Sequence, residues 1–326
     1  MQKISLWLSL KILIRYKLVR KFKDFYRYYG FVLINSRFVE LSKNSKKGND
    51  SVDKSSVVAI IFSKDRAMQL HSLLESFFDN KIGDCGVVVI YSASSTIHKE
   101  SYRVLIENHK ENILFLNQEL FDSFQDCLQS ALNNLAEDKV FFLVDDIIFT
   151  ETVDYDYLSN IDLTNTVFSL RMGGHLKHSY VVDLPQPLPQ NICLQKNFIF
   201  WDWSDGVMEW GYPLSLDGHF FPKKDVVRWC NFLKFRNPSS FEIELQKLNF
   251  VYKKKQGMAY SKSRIVNVPI NVVQNEVSNI HGFLHQDQLV AYWMDGMAID
   301  VKKFKSLVNL STHQEYGFEY VKRDAK

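Results

Sequence analysis

The sequence predicts an α/β fold: a mainly parallel sheet with flanking helices, preceded by a basic N-terminal helix. Three observations carry this. Short apolar runs rich in β-branched residues recur at 57–63, 86–92, 112–116 and 139–146. Stretches with helical apolar spacing lie between them. The first and last of these runs end in polar clusters, Ser63-Lys64-Asp65-Arg66 and Asp145-Asp146. Strands that alternate with helices imply right-handed crossovers and a parallel sheet.

Each element has its own pattern. VVAIIFS (57–63) is continuously apolar, as a strand buried on both faces must be. Met68, Leu70, Leu73, Leu74 and Phe77 then repeat at helical spacing. GVVVIYS (86–92) is a second buried strand, 99–110 a helix, NILFL (112–116) a third strand and 120–135 a helix. KVFFLVDD (139–146) is a fourth strand that ends in two acids. Beyond residue 150 the pattern turns irregular and aromatic, and helical spacing returns near 223–234, 239–249 and 285–294. The expected organisation is a segment 1–41, a linker 42–56, and two halves of a folded body, 57–150 and 151–326.

Composition narrows the class. The chain has 326 residues, 46% of them hydrophobic and 24% charged, which is ordinary for a globular protein with a sizeable core. Its four cysteines form no CxxC pair. That argues against a disulfide framework or zinc cluster and fits a reducing cytosol, with all four expected as small buried hydrophobes. Residues 1–47 hold 12 Lys+Arg against 2 Asp+Glu, whereas the remainder has a net charge of −7. The basicity belongs to one end, so the body is not expected to bind nucleic acid.

That basic end reads ISLWLSLKILIRYKLV over 4–19. Lys11, Arg15 and Lys17 interrupt it, so neither a spanning helix nor a cleaved secretory signal is expected. It suits a helix lying in an anionic membrane surface with its basic side chains among the headgroups, or a helix packed on the body or on a partner protein. The former would place the protein in the cytoplasm, peripheral on the inner face of the cell membrane. The polar run SKNSKKGNDSVDKSS (42–56) reads as a flexible linker.

Chemistry is expected at the strand ends, because ligands of parallel sheets bind beyond the carboxyl ends of the strands. Neither GxGxxG nor GxxxxGK[ST] occurs, which disfavours dinucleotide and P-loop enzymes. Adjacent carboxylates at Asp145 and Asp146 repel unless a cation is near, and a hard divalent ion such as Mn2+ or Mg2+ would also bridge diphosphate oxygens. The bare dipeptide is equally a solvated strand-end pair. At the other cluster, Asp65 could accept bonds from a nucleobase or ribose and Arg66 could reach phosphate, or the pair simply starts a helix.

With these residues placed, the chain resembles the GT-A fold, and glycosyltransferase family 2 in particular. There a first strand ends in a polar turn followed by a pattern like Arg66, Ala67, Leu70, Leu73 and Ser76, and a later strand ends in a DxD-type motif. Here that motif is Val144-Asp145-Asp146 rather than a strict Asp-x-Asp. The resemblance covers roughly residues 57–250. It implies a nucleotide-diphosphate sugar donor, with Asp65 near the base, Asp145 and Asp146 serving ribose and metal, and direct displacement with inversion. It also implies a base in FEIEL (241–245), where Glu242 matches the family's position although Phe241 replaces an acid; Glu244 is its neighbour. Ser239 or Ser240 is expected to cap that helix.

Two further groups complete the expectation. In WDWSDGVMEWGYPLSLDGHFF (201–221), aromatic faces and interleaved acids suit a sugar acceptor, which nominates Trp201, Trp203, Trp210, Tyr212, Asp202, Asp205 and Asp217 as its wall. The alternative is that the rings are core. His285, with His281 nearby, could complete a metal shell or merely start a helix. The expected activity is therefore sugar transfer to a glycan or lipid-linked glycan. The alternatives are a non-catalytic nucleotide- or carbohydrate-binding protein on the same scaffold, and an interaction protein that uses its basic end.

Overall fold

A computed structural model describes residues 56–109, 113–269 and 286–323. The segment 1–41, nearly all of the linker, His281 and His285 lie outside the described residues, and so do the expectations placed on them.

Four strands form the parallel half of the central sheet: β1 (Val57–Lys64), β2 (Gly86–Ser92), β3 (Leu114–Asn117) and β4 (Lys139–Val144). Helices α1 (Ala67–Asp79), α2 (Thr96–His109) and α3 (Phe124–Asn134) connect them. These are the elements read from the alternating pattern, and β1 is buried along its length except at Lys64. β1 lies between β2 and β4, parallel to both. β3 extends the sheet beyond β2.

A short strand, β5 (Ile147–Phe149), follows β4 after the turn at Asp145-Asp146. Past it come β6 (Thr166–Ser169), β7 (Cys193–Gln195), β8 (Phe198–Asp202) and β9 (His219–Pro222), and then α4 (Lys223–Phe232) and α5 (Pro238–Leu245). The described chain continues through β10 (Gln256–Tyr260), β11 (Ile265–Asn267) and α6 (Gln286–Met294). The nine-stranded sheet runs β7-β8-β10-β6-β9-β4-β1-β2-β3. β9 pairs antiparallel with both β4 and β6, so the second half of the sheet is mixed.

Two local expectations change. Asn237, not a serine, caps α5: its side chain accepts from the Ser240 backbone N–H, and the Ser240 hydroxyl accepts from that of Asn237. Pro238 at the first helical position lacks an N–H and has a preset φ, which leaves the cap to the residue before it. Cys85, Cys127 and Cys230 are buried as expected, but Cys193 lies exposed on the edge strand β7.

Candidate functional site

Parallel pairing of β1 with β4 in the register Phe62 to Val144 brings the two polar strand ends side by side. Asp145 is then held by the protein itself. Its Oδ2 accepts from the Ser63 hydroxyl (2.9 Å) and the Lys64 backbone N–H (3.3 Å), and its Oδ1 from Arg66 Nη1 (2.9 Å). The same Nη1 lies 3.7 Å from Asp146 Oδ2, so one guanidinium serves both acids. Arg66, expected to reach phosphate, therefore has the acid pair as its partner here.

Asp146 sits in the turn between β4 and β5, beside β11. Its Oδ1 accepts from Asn267 Nδ2 (3.3 Å). Burial pushes its carboxyl up to about 7; Asp145 and Asp217 add to the rise, and Arg66 and Asn267 oppose it. Asp65 behaves differently from expectation. Its backbone is left-handed (φ 56°), a conformation that a short polar side chain tolerates, and its Oδ1 accepts from the Ser94 backbone N–H (2.7 Å). That bond ties the end of β1 to the end of β2. Asp65 is buried and braces the turn, and it is not among the residues that line the cavity beyond the strand ends.

A cavity of about 450 Å³ opens beyond these strand ends, with Lys64, Arg66, Asp145, Asp146, Arg236 and Glu242 on its wall. A second cavity of about 430 Å³ adjoins it. The two share Asp217, Ser239, Glu242 and His313. Asp217 is placed by Gly218, whose positive φ (75°) turns the chain into β9 and whose missing Cβ would stand 2.5 Å from Ile265 Cδ1. The Asp217 carboxylate accepts from Arg171 Nη1 (3.0 Å), and Arg171 also donates to Ser215 Oγ (2.6 Å) and Thr312 Oγ1 (2.8 Å).

Glu242 lies on α5, facing both cavities. Burial first and neighbouring Asp217 second raise its carboxyl, Arg171 and bonds from Tyr212 and the Leu216 backbone oppose them, and the net is about 7. Glu244, two residues on, is paired with Lys247 and lines neither cavity. His313 Nε2 stands 3.9 Å from Asp217. Burial and the Arg171 charge push that imidazole down to about 4, so it is neutral at pH 7.

Other nominated residues are elsewhere. Trp201, Trp203 and Trp210 are almost completely buried and pack edge to face, at 4.7 Å for Trp201–Trp203 and 5.0 Å for Trp201–Trp210. Trp201 donates to the Trp210 carbonyl and Trp210 to that of Leu176. These rings are core and not acceptor wall, because they bury large apolar area against one another, and two of the three indole N–H groups find backbone acceptors there. Asp205 is exposed in the turn after β8, where it accepts from Asn191 Nδ2 (3.0 Å). It lines neither cavity, because the turn ends on solvent.

Arg171, Asn267 and His313 reach the site without having been nominated, whereas Tyr212, nominated for the acceptor wall, lines the second cavity. Pairing around Asn267 delivers His313: Asn267 N–H donates to the Thr312 carbonyl and Gln314 N–H to that of Asn267, both at 3.0 Å. No signal in STHQEYG (311–317) announces this. Among the described residues no three His, Cys, Asp or Glu side chains gather into a metal cluster. Since a hard cation can be bound through one carboxylate plus phosphate oxygens, Asp146 fits as its protein ligand.

No protein-family model matches the chain. Over 189 residues it is 29% identical to the bifunctional glycosyltransferase pgtA of Dictyostelium discoideum. That match spans 51% of this chain and only 24% of the relative. Among solved structures, S. aureus TarS 1–349 in complex with UDP-GlcNAc is similar at a TM-score of 0.46 and 14% identity, over 73% of this chain and 71% of that one. The mannosyltransferase PcManGT from Pyrobaculum calidifontis, in complex with GDP-Man and Mn2+, is similar at a TM-score of 0.29 and 18% identity, over 45% and 43%. The curated relative is thus a glycosyltransferase, the class that the strand-end motifs resemble.

Proposed function

We propose that this chain transfers a sugar from a nucleotide-diphosphate sugar to a hydroxyl of a glycan or lipid-linked glycan, with inversion at the anomeric carbon. One observation carries the reading: two cavities of nearly equal size meet at Glu242 and Asp217. The first, with its acid pair and basic rim, suits the donor. The second suits the acceptor.

Glu242 is the general base of this reading. A carboxylate whose pKa lies near 7 balances ionisation against basicity at neutral pH. It takes the proton of the acceptor hydroxyl, whose oxygen attacks the anomeric carbon while the bond to the diphosphate breaks on the opposite side. Tyr212 and the Leu216 N–H orient the carboxylate by their bonds to it. Asp217 raises its basicity, and Arg171 holds the Asp217 carboxylate in place through their ion pair.

Asp146 would hold Mn2+ or Mg2+ together with the donor's phosphate oxygens, and the ion would supply neutralisation of the leaving diphosphate. Lys64, Arg66 and Arg236 add fixed positive charge around the same cavity. No helix among the described residues is long and apolar enough to cross a membrane. We read the basic segment 1–41 as the contact with an anionic membrane surface. Co-sedimentation with anionic vesicles should weaken as salt rises, and an indifferent full chain would remove that part of the reading.

A thermal-shift screen of nucleoside diphosphates with and without Mn2+ tests the donor site. A ligand at about 100 times its dissociation constant adds about 2.7 kcal/mol of stability. If no nucleoside diphosphate stabilises the protein with or without metal, the proposal fails.

A further inference from the structure

We infer that the second cavity takes its acceptor through an alkyl chain next to the sugar that carries the nucleophilic hydroxyl. This rests on the transferase reading above. It narrows the acceptor from glycans in general to alkyl- or lipid-linked glycosides.

The cavity has two unlike ends. At the inner end, shared with the donor cavity, stand Glu242 and Asp217. Between the ends, Glu209 Oε1 accepts from the Ser179 hydroxyl (2.8 Å), while its buried Oε2 has no hydrogen-bond partner. A buried carboxylate oxygen on a cavity wall is costly to leave unpaired, and a sugar hydroxyl would satisfy it. At the mouth the lining is aliphatic: Val181, Val182, Met208 and Ile243, with exposures of 59%, 51%, 37% and 55%. A wall for a bare oligosaccharide would offer aromatic faces and hydrogen-bonding groups there. This one offers branched and thioether side chains that make no specific polar contact.

The four aliphatics come from three separate parts of the chain, so their meeting is a product of the tertiary fold. Val181 and Val182 occupy the turn after Ser179, Ile243 the outer face of α5, and Met208 a short turn on the buried tryptophans. Met208 is held with φ at 51°, a left-handed backbone uncommon for a long side chain. Gly206 lies so close under Trp210 that a Cβ would meet its carbonyl oxygen at 2.0 Å. The tryptophan core thus props up the loop that presents Met208 and Glu209. Because the reacting hydroxyl must stand at Glu242, whatever fills the mouth is the remainder of the same acceptor.

The test uses the full chain and a panel of hexosides, each as a methyl and a hexyl glycoside below micelle-forming concentration. Dissociation constants are read by saturation-transfer NMR, with nucleoside diphosphate affinity measured in parallel. The hexyl member of at least one pair should bind about tenfold tighter or more, as burial of a few methylenes allows. Val182→Asp and Met208→Asp should each erase that advantage at an unchanged melting temperature. Equal binding of methyl and hexyl partners, or an advantage that survives both variants, overturns the inference while the donor site stands. A chain that is dimeric by sedimentation and becomes monomeric with Val182→Asp, without any hexyl preference, would make the mouth a subunit contact and overturn it too. Loss of nucleoside diphosphate binding in the native chain would instead bring down the transferase reading beneath it.

Discussion

The cavity beyond β1 and β4 takes its acid pair, Asp145 and Asp146, from one strand end and braces it from the immediate neighbour. The adjoining cavity assembles from segments scattered between Arg171 and His313. In the first, Asp145 has both oxygens bonded to protein groups before any ligand arrives. In the second, polar side chains are joined by a cluster of exposed aliphatic ones that makes the mouth apolar. A polar site with fixed charges suits a ligand whose diphosphate is invariant. A site made of loops on a rigid scaffold suits the partner that varies. The two should therefore respond differently to substitution, and each variant below is a way to separate them.

The largest effect is expected from the donor side. Asp146→Asn should lower transfer by more than about 10³-fold and leave the fold intact, since it removes a charge positioned for a developing diphosphate. Nucleoside diphosphate affinity should lose its dependence on Mn2+ in calorimetry. Metal dependence that persists in the variant would unseat Asp146 as the ligand.

Arg171→Ala comes next, and it strikes both cavities through stability. It leaves Asp217 buried without its partner, a loss of about 3–5 kcal/mol for a buried pair. Denaturant unfolding should read this, and a variant within about 1 kcal/mol of the native chain would show that Asp217 is solvated.

Gly206→Ala should damage the acceptor side alone. The new methyl has to displace the Trp210 backbone, at a cost of about 1–3 kcal/mol. Acceptor KM should rise and nucleoside diphosphate affinity hold. Equal losses on both sides would mean that the tryptophan loop also supports the donor cavity.

The contrast between the cavities is also a contrast in legibility. β1, β2 and β4 were readable because a strand buried on both faces is an unbroken apolar run, and β3, at the sheet edge, because it is a shorter run of the same kind. Asp145-Asp146 was readable because it closes such a run. The alternation of strands and helices followed from the same pattern. Glu242 came only through family resemblance, since in sequence a glutamate near a helix start looks the same when it merely faces a helix dipole. The tryptophans misled because aromatic-acidic alternation looks alike in a sugar-binding wall and in a core whose acids turn outward. Trp201 points in and Asp202 out, as strand alternation requires. His313 and Arg171 were invisible: each is a single residue in an unremarkable stretch, and only long-range pairing carries them to Asp217.

The smallest effect concerns pH. The Glu242 and Asp146 carboxyls have folded pKa values near 7, raised above their ordinary values by burial first and by neighbouring acids second. Their contribution to stability is therefore full below about pH 4 and lost as pH rises through about 7. Glu242→Gln, which cannot ionise, should be more stable than the native chain by about 1–2 kcal/mol at pH 8 in metal-free buffer, and no more stable at pH 4. An equal gain at both pH values would assign the change to packing.

The same variant gives the most direct test of the whole account. Single-turnover transfer by Glu242→Gln should fall by about 10²–10⁴-fold, the range expected when a general base is lost, with the donor dissociation constant unchanged. In the native chain the rate should rise with pH through about 7, and in the variant that limb should vanish. Near-native turnover in Glu242→Gln, with the rising limb still present, would contradict the assignment of the junction between the two cavities as the catalytic centre.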